Sequence, residues 1–398
     1  MCGIFGAIHL NGFYTKEDFH FFSSLTDMVA YRGPDASGYR AVNVKQDPGH
    51  EDRFDVFIGH RRLSIIDLSN AANQPLTDGA GRWIVFNGEI FNYIELRDEL
   101  IQEGQCFKTA SDTEVILGIY KQYGEDGFSK LNGMWAFAIV DGPRKKVILS
   151  RDRFSIKPLY YIHRDDRFYF SSEIKQILPL LPEKKINDNS MFVYLAQGLT
   201  DHNEESFFQG VCQVAAKHNF VIDMEKGGLE KKAYWNYSAD AADGSGNLPE
   251  AVETFRELFL DSLKMRLRSD VEIGALLSGG LDSSAITVGA NEIQNGKLST
   301  FSVISDDKKF SEERFIDLLC RSKQIRNRKL TFRIHSENIQ EELETVLHHH
   351  DEPFGGFSTL AHFKILELLK KNSGLKVVLS GQGGDEILMG YFKYFFFN

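Results

Sequence analysis

The sequence predicts an α/β protein in two parts: stacked antiparallel sheets, then a parallel sheet covered by helices. Three observations carry this. Short apolar or alternating runs broken by turn dipeptides dominate residues 1–180. From Pro249 onward strand-like and helix-like segments alternate strictly, the order that builds a parallel sheet. Two glycine-rich turns, Ser278–Ser284 and Ser380–Glu386, each follow a strand of that second series.

In the first part Phe54–Ile58, Trp83–Phe86, Trp135–Val140, Val147–Ser150, Leu159–Ile162 and Phe168–Ser171 read as strands, with Asn87-Gly88 and Asp141-Gly142 as turn signals. Tyr93–Glu103 and Thr113–Tyr123 read as helices, the second capped by Ser111 or Asp112. Strand pairs around a few helices indicate stacked antiparallel sheets. Asp240–Asn247 reads as an exposed connection. Beyond it an amphipathic helix from Pro249 should turn Val252, Phe255, Phe259, Leu263 and Leu267 inward. Strand Ile273–Leu277, a helix from Ser283, strand Leu298–Ile304, helix Glu312–Gln324, strand Leu330–Ile334, helix Glu337–Leu347, helix Leu360–Lys371 and strand Lys376–Leu379 complete the series. We expect one domain over 1–190, a connecting segment over 191–247 and a second domain over 248–398.

Composition narrows the function. A net charge of −10 argues against a nucleic-acid or anionic-membrane surface. Cys2, Cys106, Cys212 and Cys320 lie far apart and form no CxxC pair, so neither a disulfide framework nor a zinc pattern is expected. No run approaches the roughly 18 apolar residues of a membrane span, and a cytoplasmic protein is the expectation.

Two features carry chemistry. Removal of Met1 would leave a thiol and a free α-amine together on Cys2, a nucleophile beside a base whose pKa is ordinarily about 7.7–8. Taken alone, Cys2 reads first as an ordinary small apolar residue on a first strand, and the rest of the chain must decide. In the second part, Gly279 and Gly280 allow close backbone approach to an anion at the following helix N-terminus, and Ser278, Ser283 and Ser284 add hydroxyls. Asp282 suits a Mg2+ ion bridging phosphate oxygens, and no lysine of a GxxxxGK[ST] loop follows. Asp385, in the second turn, reads as a partner metal ligand or as a helix cap. The run His348–His350 reads as a helix end, because consecutive residues face different sides of a helix.

At this point the chain resembles the glutamine-dependent asparagine synthetase family. The blocks Met1–Gly6, Arg32–Asp35, Arg62–Asp67, Phe86–Asn92, Ser111–Glu114, Leu131–Asp141, Ile156–Tyr161, Ser171–Lys175, Ser278–Ser284, Asp351–Phe354 and Ser380–Glu386 carry the likeness in order. The resemblance implies an N-terminal-nucleophile (Ntn) αββα sandwich followed by an adenine-nucleotide α-hydrolase-like domain. It implies that Cys2 attacks the side-chain amide of glutamine, with Asn87 and the Gly88 N–H as oxyanion hole. Arg62 with Leu63, Ser64, Ile65 and Ile66 would line the glutamine pocket, and Glu89 and Asp112 would hold the glutamine ammonium. Leu276, Val303, Ser380 and Gly381 would contact the ATP base and ribose. Ser278, Gly279, Gly280, Ser283 and Ser284 would hold the pyrophosphate, and Asp282 and Asp385 the Mg2+. Ammonia would then displace AMP from an aspartyl-adenylate. A homodimer or a partner chain fits the same picture.

The chain also departs from the family pattern. Gln382 stands where asparagine synthetases carry an acidic residue, so the acceptor is aspartate or another carboxylate, such as a surface-polysaccharide sugar or a natural-product precursor. Val214–His218 replaces a Pro-Pro-Gly-His turn, and an altered or looser connection is expected there. The chain ends at Tyr394–Asn398, soon after the second glycine-rich turn, which leads us to expect an incomplete synthetase half and an exposed Phe395–Phe397. An inactive or partner-dependent subunit is the reading from another class.

Overall fold

The alternating runs of the first part become strands buried on both faces, because each sheet is sandwiched between a helix layer and the other sheet. The computed structural model describes all residues except 46–52, 238–246, 306–310, 333–337 and 393–398. The chain forms two compact units, Met1–Ala239 with Asp351–Pro353, and Asp240–His350 with Phe354–Asn398. The connection expected at 240–247 (save Asn247), the join of strand and helix at 333–337 and the terminal Phe395–Phe397 lie outside the described residues.

In the first unit β1 (Gly3–His9), α1 (Lys16–Asp27), β2 (Ala36–Val42), β3 (Val56–Arg62), β4 (Leu76–Thr77), β5 (Arg82–Ile90), α2 (Tyr93–Gln102) and α3 (Asp112–Tyr123) are followed by β6 (Gly133–Asp141), β7 (Lys146–Arg151), β8 (Tyr160–Arg164), β9 (Arg167–Ser171), α4 (Asp188–Gln197), β10 (Cys212–Gln213), β11 (His218–Asp223) and β12 (Leu229–Ala233). They make two six-stranded antiparallel sheets, β10-β8-β9-β1-β3-β2 and β12-β11-β7-β6-β5-β4. Strand parity sorts the core into layers. Ile4 and Ile8 of β1 pack with Val85, Ala136 and Leu149 between the sheets. Phe5 and Ala7 face the other way, onto Phe22 and Leu25 of α1. Phe86, Trp135 and Phe137 cover Leu96, Val115 and Tyr120 of α2 and α3. The order is therefore helix, sheet, sheet, helix, the αββα sandwich.

Local signals account for the ends. Thr15 and Asp18 form a capping box at α1, and the Ser111 hydroxyl accepts the Thr113 N–H at 3.0 Å, so Ser111 is the cap of α3. The stretch expected as a connecting segment, 191–247, contributes β10, β11 and β12 to the edges of both sheets. Of the altered or looser connection expected at Val214–His218, the looser form is not found: Val214 is buried, the Lys217 N–H donates to Asp152 O at 2.9 Å, and the Tyr234 N–H donates to Lys217 O at 3.0 Å. Lys217 takes φ +60°, the left-handed backbone that glycine adopts at less cost.

The second unit contains α5 (Leu248–Arg266), β13 (Ile273–Leu276), α6 (Leu281–Ile293), β14 (Ser299–Ser305), α7 (Glu313–Lys323), β15 (Asn327–Phe332), α8 (Ile339–His350), α9 (Phe357–Ser373), β16 (Val377–Leu379) and α10 (Gly384–Leu388). Its sheet is parallel, in the order β15-β14-β13-β16. The inward face expected for α5 is only partly realised. Leu263 is buried against Gly289 of α6, whereas Val252 and Phe255 are 57% and 48% exposed. Only the C-terminal half of α5 reaches α6. Among the described residues no helix is long and apolar enough to cross a membrane.

Asp152, fully buried after β7, organises the turn into β8. Its carboxylate accepts the N–H groups of Trp135 (3.2 Å), Phe154 (3.0 Å), Ile156 (2.9 Å) and Lys157 (2.9 Å). Asp152→Ala strands the buried Trp135 and Lys157 amides, and should cost roughly 3 kcal/mol or more. Denaturant unfolding checks this, with Asp152→Asn expected to lose less.

Candidate active site

Antiparallel pairing sets the first site. Gly3 of β1 lies opposite Arg61 of β3, so Cys2 arrives beside Leu63, just past the end of that strand. The Leu63 N–H donates to Cys2 Sγ at 3.3 Å, and Leu63 O lies 3.7 Å from the sulfur. Burial pushes the Cys2 thiol up, while the Leu63 hydrogen bond, Arg32 and Lys157 pull it down. Met1 ahead of it is half exposed.

Across the sandwich, His60 Nε2 sits 3.0 Å from Phe86 O, which ties β3 to β5 beside Asn87. Asn87 is fully buried, and neither its Oδ1 nor its Nδ2 has a hydrogen-bond partner. A native interior rarely tolerates an orphaned amide, so this one is suited to receiving a group that arrives later. Gly88 follows under a steric constraint, since a Cβ there would lie 2.2 Å from Met134 O.

Arg62, at the end of β3, turns into the loop that follows. Its guanidinium donates to Ser69 O (2.9 Å), Asn73 Oδ1 (2.7 Å), Ile66 O (3.4 Å) and Asp67 O. It thus shapes the loop carrying Leu63, Ser64, Ile65 and Ile66, while the Ser64 N–H is held by Asp35 Oδ2 at 2.7 Å. Cys2, Asp67, Asp35 and Asp112 all lie within its electrostatic reach. Glu89 is buried at the end of β5. Asp112 opens α3, and its Oδ2 accepts the Ile90 N–H at 3.0 Å. Burial raises the Asp112 carboxyl to about 6.

Several nearby charges had no assigned role in the sequence reading. Arg32 Nε donates to Cys2 O at 2.9 Å, and its Nη1 donates to Glu173 Oε1 at 2.9 Å. Lys157 is buried within the field of Arg32, Glu89 and Cys2, and burial lowers its pKa. Arg32, Lys157 and Glu173 lie inside the matched blocks, but their roles become interpretable only once their partners in the fold are known.

In the second unit the two glycine-rich turns interlock at the carboxyl ends of β13 and β16, the end at which parallel sheets bind ligands. A Cβ on Gly381 would lie 2.8 Å from Ser283 N, and one on Gly384 would lie 2.3 Å from Asp282 Oδ2. Within the first turn Ser278 Oγ and Ser283 Oγ are 2.8 Å apart, and the Gly280 N–H donates to Ser278 Oγ at 3.3 Å. Ser284 lies in the first turn of α6, its N–H bonded to Gly280 O at 3.0 Å. Gly279 takes φ +90°. Leu276 and Val303 flank this region in the core with Phe301 and Leu330, and Ser380 follows β16 directly. Asp282 rests on Gly384, whereas Asp385 Oδ1 points toward Gly390, 2.0 Å from where its Cβ would be. Among the described residues no three His, Cys, Asp or Glu side chains form a metal-ligand group. The rings of His349 and His350 pack near Phe363 and Phe354, at 5.6 and 5.8 Å between centroids.

The sequence that forms these two units has known relatives. Residues 1–235 match the family model of the glutamine amidotransferase domain, and residues 254–397 match that of asparagine synthase. A Methanocaldococcus jannaschii protein provisionally named asparagine synthetase (glutamine-hydrolysing) 2 is 33% identical, over 99% of this chain and 76% of its own length. Asparagine synthetase (glutamine-hydrolysing) 1 of Bacillus subtilis is 34% identical, over 99% of this chain and 59% of its own. Amidase chyE of Penicillium rubens is 32% identical, over 92% of this chain and 54% of its own. The chain thus spans between about half and three quarters of the length of these relatives. It belongs to the glutamine-dependent asparagine synthetase family.

Proposed function

We propose that the first unit hydrolyses glutamine at Cys2 and that the ammonia serves ATP-dependent amidation of a carboxylate. The observation that carries the glutaminase reading is the buried, unpartnered Asn87 amide on the strand facing the one that ends at the Cys2 sulfur. Once Met1 is removed, the Cys2 α-amine takes the thiol proton as sulfur attacks the side-chain carbonyl carbon. The Asn87 amide and the Gly88 N–H receive the negative charge that develops on oxygen. The C–N bond breaks, the proton passes to the leaving nitrogen, and ammonia departs. Water then cleaves the thioester to give glutamate. Asp112 and Glu89 hold the substrate ammonium, and Arg62 keeps the 63–66 loop in shape.

For the second unit, the interlocked glycines form a cradle that side chains would fill, which fits an ATP pyrophosphate on Ser278, Gly279, Gly280, Ser283 and Ser284. Leu276, Val303, Ser380 and Gly381 would take the base and ribose. Asp282 and Asp385 would hold Mg2+, which would supply positive charge against the phosphate oxygens. Aspartate is the acceptor in the first reading. A second reading keeps the chemistry and changes the acceptor. It is favoured by the exposed Gln382, which cannot act as a base, and by relatives that carry the name amidase.

Cys2→Ala should abolish glutamine hydrolysis without lowering the melting temperature, and Asn87→Ala should lower kcat roughly 100- to 1,000-fold. Because Asp112 must be ionised to bind an ammonium and burial holds it near 6, kcat/KM for glutamine should fall as pH drops through about 6. Asp112→Asn should raise KM roughly 10- to 100-fold at neutral pH. For the nucleotide site, carboxylate-dependent ATP–pyrophosphate exchange separates the two readings. Exchange with aspartate supports the first, and exchange with another carboxylate alone supports the second. Asp282→Asn should remove exchange in either case.

A further inference from the structure

After leaving the first unit near residue 239, the chain returns to it for only three residues, Asp351–Pro353. Two of the three are carboxylates that are almost fully buried. Glu352 Oε1 accepts the Phe207 N–H at 2.8 Å, and its Oε2 lies 3.5 Å from the Tyr160 hydroxyl, which anchors the segment. Asp351 is spent on Lys175: Oδ1 lies 3.0 Å from Nζ, and Oδ2 accepts the Lys175 N–H at 3.3 Å.

From Lys175 the charges continue to the nucleophile. Lys175 Nζ pairs with Glu173 Oε2, and it also donates to the Tyr31 hydroxyl at 3.0 Å. Glu173 Oε1 takes Arg32 Nη1 at 2.9 Å, and Arg32 Nε donates to Cys2 O at 2.9 Å. The four side chains alternate in sign, from Asp351 to Lys175 to Glu173 to Arg32. Each is less than a tenth exposed.

We propose that Asp351 and Lys175 are positioning residues for glutamine hydrolysis: they fix Glu173, which holds Arg32 on the Cys2 carbonyl and thereby keeps the sulfur at the Leu63 amide. The physical reason is competition for one carboxylate. Glu173 is shared between Arg32 and Lys175, and Lys175 is in turn balanced by Asp351. With Asp351 neutral, Lys175 has only Glu173 to satisfy its charge, and it draws that carboxylate away from Arg32. Buried ion pairs are sensitive to losing one member, because the remaining charge cannot turn to water. Arg32 touches the backbone of Cys2 and not its sulfur, so the effect falls on orientation. It should appear in kcat and in thiol reactivity, with little change in KM. The inference rests on the proposed role of Cys2.

The test uses the full chain carrying Asp351→Asn, Lys175→Met or Lys175→Arg, with Glu352→Gln as a control that keeps the anchor but does not touch Lys175. Steady-state glutamine hydrolysis is measured beside the rate at which iodoacetamide alkylates Cys2 and beside the melting temperature. Asp351→Asn and Lys175→Met should each lower kcat roughly three- to tenfold with KM nearly unchanged, and should change the alkylation rate of Cys2. Lys175→Arg should restore both, and Glu352→Gln should behave as the unaltered protein. Unchanged kcat and alkylation in Asp351→Asn would overturn the proposal. So would a fall in kcat that tracks only the melting temperature while alkylation stays constant. If the unaltered protein hydrolyses no glutamine, it is the glutaminase reading that fails, and the alkylation comparison still decides whether the charges reach Cys2.

Discussion

The constraint on which the first unit depends is the antiparallel register between β1 and β3. With Gly3 opposite Arg61, Cys2 falls opposite Arg62 at the end of β3, and its sulfur meets the amide of Leu63, the next residue. A slip of one residue would exchange the two faces of β1, sending Ile4 and Ile8 toward α1 and Phe5 and Ala7 between the sheets. The register is enforced by close packing. A Cβ on Gly6 would lie 2.1 Å from the Phe170 ring, and one on Gly3 would lie 2.6 Å from Val29 Cγ2. Core packing and sulfur placement are therefore one geometric fact.

Around that frame, buried polar groups fall into two classes. Most are satisfied by neighbours, as in the Asp152 turn, the Arg62 loop and the chain from Asp351 to Arg32. Among the described residues, the orphaned atoms include single ones on Ser190, Asn219, Thr287 and Asn327, and Asn87 differs from these in leaving both of its amide atoms unpartnered. An unmade hydrogen bond in the core costs about 1–3 kcal/mol, so its persistence beside β3 is best understood through a ligand that completes it. The second unit uses another device. Its two turns approach so closely that Gly381, against the Ser283 amide, and Gly384, against the Asp282 carboxylate, leave no room for a side chain of their own.

Much of this was legible in the sequence where the signal is local. The strands of β5, β6 and β7, the Ser111 cap and the paired glycine turns follow from alternation, capping chemistry and strand-to-helix punctuation. What was not legible depends on distant partners. The apolar stripe of α5 predicts burial along its length, but only the part that meets α6 is covered, so Val252 and Phe255 stay exposed. Of the strands at 212–233, β10 has two residues and β12 is charged, and they are strands because β8 and β11 offer them an edge. Lys217 supports its turn despite the lost glycine, because hydrogen bonds from the surrounding strands hold it there. Arg32, Glu173, Lys175 and Asp351 are scattered along the chain, and no spacing rule joins them.

The central claim is that Cys2, freed of Met1, is the nucleophile held by this register. Covalent labelling with an electrophilic glutamine analogue, followed by mass mapping of the N-terminal peptide, tests it most directly. The account predicts a chain that begins at Cys2 and carries one equivalent of label on its thiol. Label on Cys106, Cys212 or Cys320, or a chain that retains Met1 and still hydrolyses glutamine, would contradict it.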